Sequence, residues 1–226
     1  MEILHLELLR EQSIRICLPT GAALFAGFPK VLFINVKNSI NYNTRSVKGT
    51  PNIVITGFTS CGKSQAGRVL SSIIDYKFID LDDFIENLYY AQNNLFMTCR
   101  QIYELKGETF FRALELEAAK SVFPITNTVI STGGGIVRNK KNREILSSLG
   151  KIIYLKTSSD VIYRRMMISK GAPAFMADNH GIDEVEQALD KMNPLYEELA
   201  DIVIDNDKTA PLDTAKEIIS ALNCLD

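Results

Sequence analysis

From residue 52 onward, short apolar runs alternate with longer stretches in which apolar residues recur every three or four positions. The short runs predict buried β-strands, and the longer stretches predict amphipathic helices. The predicted strands are 52–56, 77–80, 127–131, 151–155 and 201–204, and the predicted helices are 63–74, 82–91, 98–106, 108–121, 138–148, 158–168, 182–199 and 211–223. Such alternation predicts an α/β fold, a parallel sheet of five strands with helices on both faces.

Residues 1–50 differ in composition from the rest of the chain. No acidic residue occurs between Glu11 and Asp75, although several Lys and Arg do. Acid-poor, basic segments are typical of transit peptides, but three Glu within the first eleven residues are not. Two short apolar runs in this region are typical of strands. We expect 1–50 to be an N-terminal extension (an accessory β element, a fusion remnant or a targeting segment) and 51–226 to be the main domain.

The loop after the first predicted strand has the spacing of a phosphate-binding loop. Gly57, Gly62, Lys63 and Ser64 form the pattern G-x-x-x-x-G-K-S between a strand and a helix. Glycines allow a tight turn whose backbone N–H groups point at phosphate oxygens, and the following helix directs its N-terminus at the anion. We expect Lys63 to reach the β- and γ-phosphates and the Ser64 hydroxyl to bind Mg²⁺.

Two carboxylates follow the second predicted strand. Asp80 and Asp82 are two residues apart and share a direction if the strand continues through them. Beside a phosphate loop, one carboxylate is suited to holding Mg²⁺ through water and the other to accepting a hydroxyl proton from the phosphoryl acceptor. The structural alternative is that Asp82 or Asp83 caps the next helix.

Two further segments carry polar or backbone groups suited to binding. Arg112 and Glu115 are three apart on a predicted helix, a spacing usual for a surface pair, yet apolar neighbours of Arg112 favour a partly buried guanidinium that binds a carboxylate. Gly133, Gly134 and Gly135 follow the third predicted strand. Three consecutive glycines leave room for a ligand to pack on exposed backbone N–H groups.

Taken together, G-x-x-x-x-G-K-S, D-x-D, G-E-x-x-F-R-x-x-E and T-G-G-G resemble the motifs of shikimate kinase in order and interval. The resemblance covers about residues 50–224 and extends to Asn193-Pro194-Leu195-Tyr196, which looks like the family's P-L-Y segment. It implies a P-loop, nucleoside-monophosphate-kinase-like fold with strand order 2-3-1-4-5 and a mobile lid. It also implies transfer of the ATP γ-phosphoryl group to the 3-hydroxyl of shikimate with Mg²⁺, a step of chorismate and aromatic amino acid biosynthesis.

The resemblance also implies roles for matched residues. Those that would bind the nucleotide are Ser60, Cys61, Gly62, Lys63, Ser64, Gln65 and Arg165. Those that would bind the substrate are Asp82, Arg112, Gly133, Gly134 and Gly135. Lys63 and Asp82 would be catalytic, and Ser64 and Asp80 would hold the metal. We expect the Cys61 side chain to be incidental, because only its backbone lies in the loop pattern.

The chain departs from the family pattern at two arginine positions. Ala172 stands where the family's lid has an arginine, and Met192 stands where another arginine contacts the substrate carboxylate. Each lost charge-assisted contact is worth about 1.5–3 kcal/mol, so losing both would weaken binding about a hundredfold or more. Lys170 and Lys191 could supply charge, though not the fork geometry of arginine.

Composition excludes several other classes of protein. A net charge of −2 and a pI near 5.8 argue against nucleic-acid binding, and no apolar run reaches the ~20 residues of a membrane span. The four cysteines are scattered, which favours free thiols in a reducing compartment. We expect a cytoplasmic monomer, or a plastid or other organellar protein if residues 1–50 are a targeting segment.

Three interpretations remain open from the sequence. The first is a shikimate kinase, and the second is a kinase of the same fold with another small-molecule acceptor. The third is a nucleotide-binding interaction module without catalysis. The presence of Lys63, Ser64, Asp80 and Asp82 favours an enzyme, because an interaction module has no chemical need for them.

Overall fold

The computed structural model describes residues 52–122, 125–169, 181–207 and 210–224. Its centre is a five-stranded sheet in the order β2-β3-β1-β4-β5, with every neighbouring pair parallel. The strands are β1 (Asn52–Thr56), β2 (Lys77–Asp80), β3 (Thr128–Ser131), β4 (Gly150–Lys156) and β5 (Ile202–Asp205). The predicted fold class and the strand order implied by the family resemblance are both confirmed.

Seven helices and one short 3₁₀ turn surround the sheet in the described part of the chain. They are α1 (Lys63–Ile74), α2 (Leu81–Asn93), α3 (Cys99–Ser121), the 3₁₀ turn Ile136–Arg138, α4 (Lys140–Leu149), α5 (Ser159–Ser169), α6 (Ile182–Leu199) and α7 (Pro211–Asn223). The bounds of the predicted strands and helices agree with these within two residues. None of the described helices is long and apolar enough to cross a membrane.

The core is divided between the two faces of the sheet. One apolar cluster joins β1, β3 and β4 to α1 and α7, with Leu70 and Ile218 fully buried. The cluster on the other face joins the sheet to α4, α5 and α6, with Leu146 and Ile162 fully buried. Every residue of β1 is buried, as expected for the central strand of a sheet covered on both faces. The loop after β1 therefore projects from a fully buried strand at the centre of the sheet.

Two predicted helices, 98–106 and 108–121, form the two halves of α3. Gly107 separates them with φ 79°, a left-handed conformation that disfavours a side chain. The first half begins at a capping box in which Thr98 and Gln101 each bond the other's backbone N–H. Together with α2, α3 encloses a third apolar cluster centred on Ile85 and Ile102. These two packed helices lie beside the end of β2.

One expectation about the acidic segment is wrong. The strand ends at Asp80 and α2 begins at Leu81, so Asp80 and Asp82 do not share a strand direction. The cap of α2 is Asp80, not Asp82 or Asp83, because its side chain accepts a hydrogen bond of 3.2 Å from the Asp82 N–H. Helix capping by Asp80 ends the strand two residues before Asp82, through which the spacing argument needed the strand to continue.

Residues 1–50, including the expected N-terminal extension, lie outside the described residues, as do Lys170 and Ala172.

Candidate active site

The chemically suggestive segments meet at one edge of the sheet. The phosphate-loop sequence follows β1, Asp80 ends β2, and Gly133–Gly135 follow β3. In the order β2-β3-β1 these strands are adjacent, and all three run in the same direction. The carboxyl ends of parallel strands form the usual ligand-binding edge of such a fold. The sheet thus brings together segments that are up to 78 residues apart in the chain (57 and 135).

The loop after β1 has the backbone that phosphate binding requires. Gly57 has φ 146°, and a β-carbon there would lie 2.8 Å from the Leu155 carbonyl oxygen. Gly62 has φ 100° and approaches the side-chain amide of Asn206. Ser60 is left-handed at φ 64° despite carrying a side chain. Successive turns of this kind direct N–H groups into one concave surface, which favours an anion.

Lys63 and Ser64 begin α1 directly behind this loop. The Lys63 ammonium is buried and donates a hydrogen bond of 2.8 Å to the Phe58 carbonyl oxygen, so it folds back over its own loop. The Ser64 hydroxyl lies 3.3 Å from the hydroxyl of Ser131, at the end of β3. Both side chains therefore line the loop and are available to a phosphate group and its cation.

Gln65, the next predicted nucleotide-binding residue, is exposed on the first turn of α1.

Cys61 is fixed in the loop by groups from two distant segments. Its carbonyl oxygen accepts hydrogen bonds of 2.9 Å from Arg165 on α5 and 2.5 Å from the buried Asn206 after β5. Arg165 also donates to the Asn206 carbonyl oxygen at 3.1 Å. The Cys61 thiol is fully buried beside Gly57, so the side chain fills space rather than being incidental. Sequence reasoning missed Asn206, which no motif marked.

Asp82 points at the triglycine loop. A β-carbon on Gly133 would lie 2.6 Å from Asp82 Oδ1 and 3.7 Å from Glu115 Oε1. Burial, followed by the negative charge of Asp80, raises the pKa of Asp82 to about 7, although Lys63 acts in the opposite direction. A carboxylate with a pKa near neutral pH is suited to taking up a proton during a reaction.

Arg112 is held in a buried ion pair rather than the surface pair that its spacing suggests. Its Nη1 lies 2.6 Å from Glu115 Oε2, and the two side chains are 15% and 2% exposed. The guanidinium also lies 5.7 Å from the centre of the Phe111 ring. Burial lowers the pKa of Arg112, but Glu115 and Glu108 outweigh it and raise the pKa overall. The predicted partly buried guanidinium is confirmed.

Each glycine of the triglycine loop approaches a different functional residue. Gly133 faces Asp82, a β-carbon on Gly134 would lie 2.8 Å from Thr59 Oγ1, and one on Gly135 would lie 2.8 Å from Arg112 Nη1. The loop therefore connects the phosphate loop, the acid and the guanidinium. A β-carbon at any of these glycines would push the loop away from the neighbouring residue, which is Asp82, Thr59 or Arg112.

Tyr196 is a site residue whose role sequence reasoning missed. Its hydroxyl donates a 2.5 Å hydrogen bond to the Gly134 carbonyl oxygen, and its ring stacks on Tyr154 at 5.0 Å between centroids. Tyr154 in turn donates to Asn193 Oδ1 at 2.8 Å. The Asn-Pro-Leu-Tyr segment thus supports the triglycine loop from α6. The motif itself could have suggested Tyr196, because a buried tyrosine hydroxyl requires a partner.

The described residues contain no cluster of three or more His, Cys, Asp or Glu suited to holding a metal ion. Oxygen donors at this edge of the sheet include the Ser64 hydroxyl, which lies 3.3 Å from the Ser131 hydroxyl, and the carboxylates of Asp80 and Asp82 at the end of β2. Mg²⁺ is usually bound by one or two protein oxygens together with substrate phosphates and water. This donor set fits such a shared site.

Comparisons with known proteins agree with the arrangement. The family model "Shikimate kinase" matches residues 59–223. Shikimate kinase of Actinobacillus pleuropneumoniae serotype 5b (strain L20) is 37% identical over 175 residues, which covers 77% of this chain and 96% of that protein. Shikimate kinase of Alkaliphilus oremlandii (strain OhILAs) is 33% identical over 174 residues, which covers 76% and 97%.

Two solved structures have the same fold. One is shikimate kinase from Acinetobacter baumannii in complex with shikimate, with a TM-score of 0.72 and 28% identity over 79% of this chain and 96% of that chain. The other is shikimate kinase from Bacteroides thetaiotaomicron, with a TM-score of 0.67 and 28% identity over 76% and 98%.

Proposed function

The chain belongs to the shikimate kinase family, and on that premise we propose that it phosphorylates shikimate. ATP would supply the γ-phosphoryl group, and the 3-hydroxyl of shikimate would accept it. The products are ADP and shikimate 3-phosphate. The observation that carries the proposal is the triglycine loop, which touches the phosphate loop, Asp82 and Arg112 at once. A phosphate donor and a carboxylate-bearing acceptor can therefore bind side by side.

The phosphate loop is the proposed ATP site. Backbone N–H groups of residues 60–65 would surround the β- and γ-phosphates, and Lys63 would turn from the Phe58 carbonyl toward them. Mg²⁺, held by Ser64 and through water by Asp80, would supply positive charge that neutralises the phosphates. Arg165 would lie beside the adenine, because it bridges the phosphate loop and the segment after β5.

Asp82 is the proposed base. In the reaction the hydroxyl oxygen of the acceptor forms a bond to the γ-phosphorus, while the bond from that phosphorus to the bridging oxygen of ADP breaks. The hydroxyl proton passes to an Asp82 carboxylate oxygen. The raised pKa of Asp82, about 7, makes its carboxylate a stronger base than an ordinary aspartate, and it can accept the proton as the bond to phosphorus forms. Most of the rate enhancement would come from positioning and from the positive charge around the migrating phosphoryl group.

Arg112 is the proposed anchor for the shikimate carboxylate. Its pairing with Glu115 fixes the plane of the guanidinium, and Gly135 leaves that plane accessible. A fixed guanidinium binds a carboxylate with less loss of side-chain entropy than a flexible lysine.

The experiment that tests this function is ADP release from ATP and Mg²⁺ at several shikimate concentrations. Saturable, shikimate-dependent release is the expected result. ADP release that ignores shikimate, or nucleotide binding without any release, would overturn the proposal in favour of another acceptor or a non-catalytic role.

A further inference from the structure

Two guanidinium groups from different elements meet at one carboxylate beside the site. Arg112 Nε lies 3.4 Å from Glu108 Oε1, and Arg138 Nη1 lies 3.9 Å from the same oxygen. Arg138 ends the 3₁₀ turn that follows the triglycine loop, whereas Glu108 and Arg112 lie on α3. The two elements therefore converge where Gly135 already touches Arg112.

The Glu108 carboxylate is the replaceable member of this group. Its side chain is 54% exposed, compared with 35% for Arg138 and 15% for Arg112. Contacts of 3.4–3.9 Å to such an exposed group are weak. Glu108 also directly follows Gly107, where the helix is broken and a β-carbon would meet nothing within 4 Å. Another carboxylate could displace it without disturbing packed atoms.

Arg138 is held in place from its other side. Its Nε donates a hydrogen bond of 3.4 Å to Met192 Sδ, and Met192 is 2% exposed on α6. Met192 is the position at which the family resemblance implies an arginine that contacts the substrate carboxylate. In this chain a guanidinium reaches the same neighbourhood from the 3₁₀ turn, with the thioether of Met192 as its support.

The charges balance when a ligand carboxylate replaces Glu108. Glu115 remains paired with Arg112 at 2.6 Å, and the incoming carboxylate takes the place of the Glu108 carboxylate between the two guanidinium groups, so the local net charge does not change. Arg112 and Arg138 then both donate to the ligand carboxylate, one from α3 and the other from the 3₁₀ turn.

Building on the proposed function, we propose that Arg138 is the second arginine of the shikimate carboxylate site and that Glu108 occupies the site in the free protein. Arg138 is thus a specificity-determining residue for acceptors that carry a carboxylate.

The test compares Arg138→Met with Arg100→Met, which removes the same charge from an exposed pair with Glu104 on α3. Binding of shikimate and of its neutral carboxamide is measured by calorimetry, alongside turnover. The expected result is that Arg138→Met weakens shikimate binding about tenfold to a hundredfold and leaves carboxamide binding and kcat nearly unchanged. Arg100→Met should change neither ligand's binding.

The role of Arg138 would be overturned if Arg138→Met weakened the binding of shikimate and of its carboxamide equally. It would also be overturned if the variant bound shikimate as tightly as the wild type. This outcome is separate from failure of the proposed function. A wild-type protein that binds shikimate without releasing ADP would refute the kinase activity, while the binding ratio would still decide the role of Arg138.

A second variant, Glu108→Gln, leaves Arg138 in place and tests the other half of the proposal. Because Glu108 must be displaced by any ligand that enters the site, removing its negative charge should tighten binding of shikimate severalfold and should not weaken binding of the carboxamide. Weaker binding of both ligands would show that Glu108 supports the site rather than occupying it.

Discussion

The Tyr196 hydroxyl donates a hydrogen bond of 2.5 Å to the carbonyl oxygen of Gly134. Tyr196 is fully buried on α6, and burial raises the pKa of its hydroxyl well above the ordinary value. The hydroxyl therefore stays protonated and remains a hydrogen-bond donor near neutral pH. A buried side chain from one helix thus sets the position of the middle glycine of the substrate loop.

We predict that Tyr196→Phe weakens the site more than the fold. Loss of this partner from the Gly134 carbonyl should lower the free energy of unfolding by about 1–3 kcal/mol. It should also raise the KM for shikimate and leave the KM for ATP unchanged. The control is Tyr154→Phe, which keeps the ring stack but removes the bond to Asn193. Equal increases in both KM values would contradict a specific role for Tyr196.

The alternating pattern was enough to predict the fold because each element carries its own signal. The break at Gly107 is an example, since two helical segments were predicted on either side of the residue that is left-handed in the structure. The phosphate loop could also be predicted, because its glycine spacing is a local requirement of the backbone. Features of this kind depend on neighbours in sequence.

Features that depend on neighbours in space could not be predicted. The spacing of Arg112 and Glu115 is the same for a surface pair and a buried one, and only the packing of α3 against the triglycine loop decides between them. Tyr196 and Asn206 act on loops 62 and 145 residues away, so no local pattern reports their partners. Asp82 shows the opposite failure, because the local cap formed by Asp80 starts a helix and turns Asp82 away from the strand direction.

A second prediction concerns Gly133→Ala. The new β-carbon would lie 2.6 Å from Asp82 Oδ1, so the carboxylate must move away from the loop. A displacement of about 1 Å at a reacting group can cost about 10²-fold in rate, and we expect a loss of kcat of that order. The control is Gly181→Ala, whose β-carbon would meet nothing closer than 4.0 Å. Turnover at the wild-type rate in the Gly133 variant would refute the placement of Asp82.

A third prediction concerns Lys63→Ala. Removing one preorganised positive charge from the phosphate site should lower kcat by about 10²–10³-fold, because the charge acts mainly on the transition state. The fold should persist, which circular dichroism and thermal unfolding would check. Lys151→Ala, at an exposed pair with Asp201, is the matched control. Normal turnover after the Lys63 change would remove the phosphate loop from the mechanism.

A fourth prediction follows from the proton that Asp82 must accept. Only its ionised form can act as a base, so kcat/KM for shikimate should rise with pH and level off above about pH 7. Asp82→Asn should lower kcat by about 10²–10⁴-fold and abolish this dependence, while ATP binding, measured by calorimetry, stays unchanged. An Asn variant that retains the same pH profile would show that another group is the base.

A fifth prediction is that Asp82 makes the protein less stable at the pH at which it works. Its pKa is raised from 3.8 to about 7 in the folded protein, so between these values the folded state binds the proton more tightly than the unfolded chain. The stability associated with that proton is complete below about pH 4 and is lost as the pH rises through 7, at about 1.4 kcal/mol for each unit of pKa difference.

Asp82→Asn mimics the protonated side chain, so it should raise the free energy of unfolding at pH 8 by one to several kcal/mol and change it little at pH 4. Urea unfolding at both pH values measures this difference, and Asp160→Asn on an exposed position of α5 is the control. If the variant is no more stable than the wild type at pH 8, ionisation of Asp82 does not lower the free energy of unfolding. A gain in stability that coincides with the loss of turnover would instead identify Asp82 as a carboxylate kept in an unfavourable environment for its chemistry.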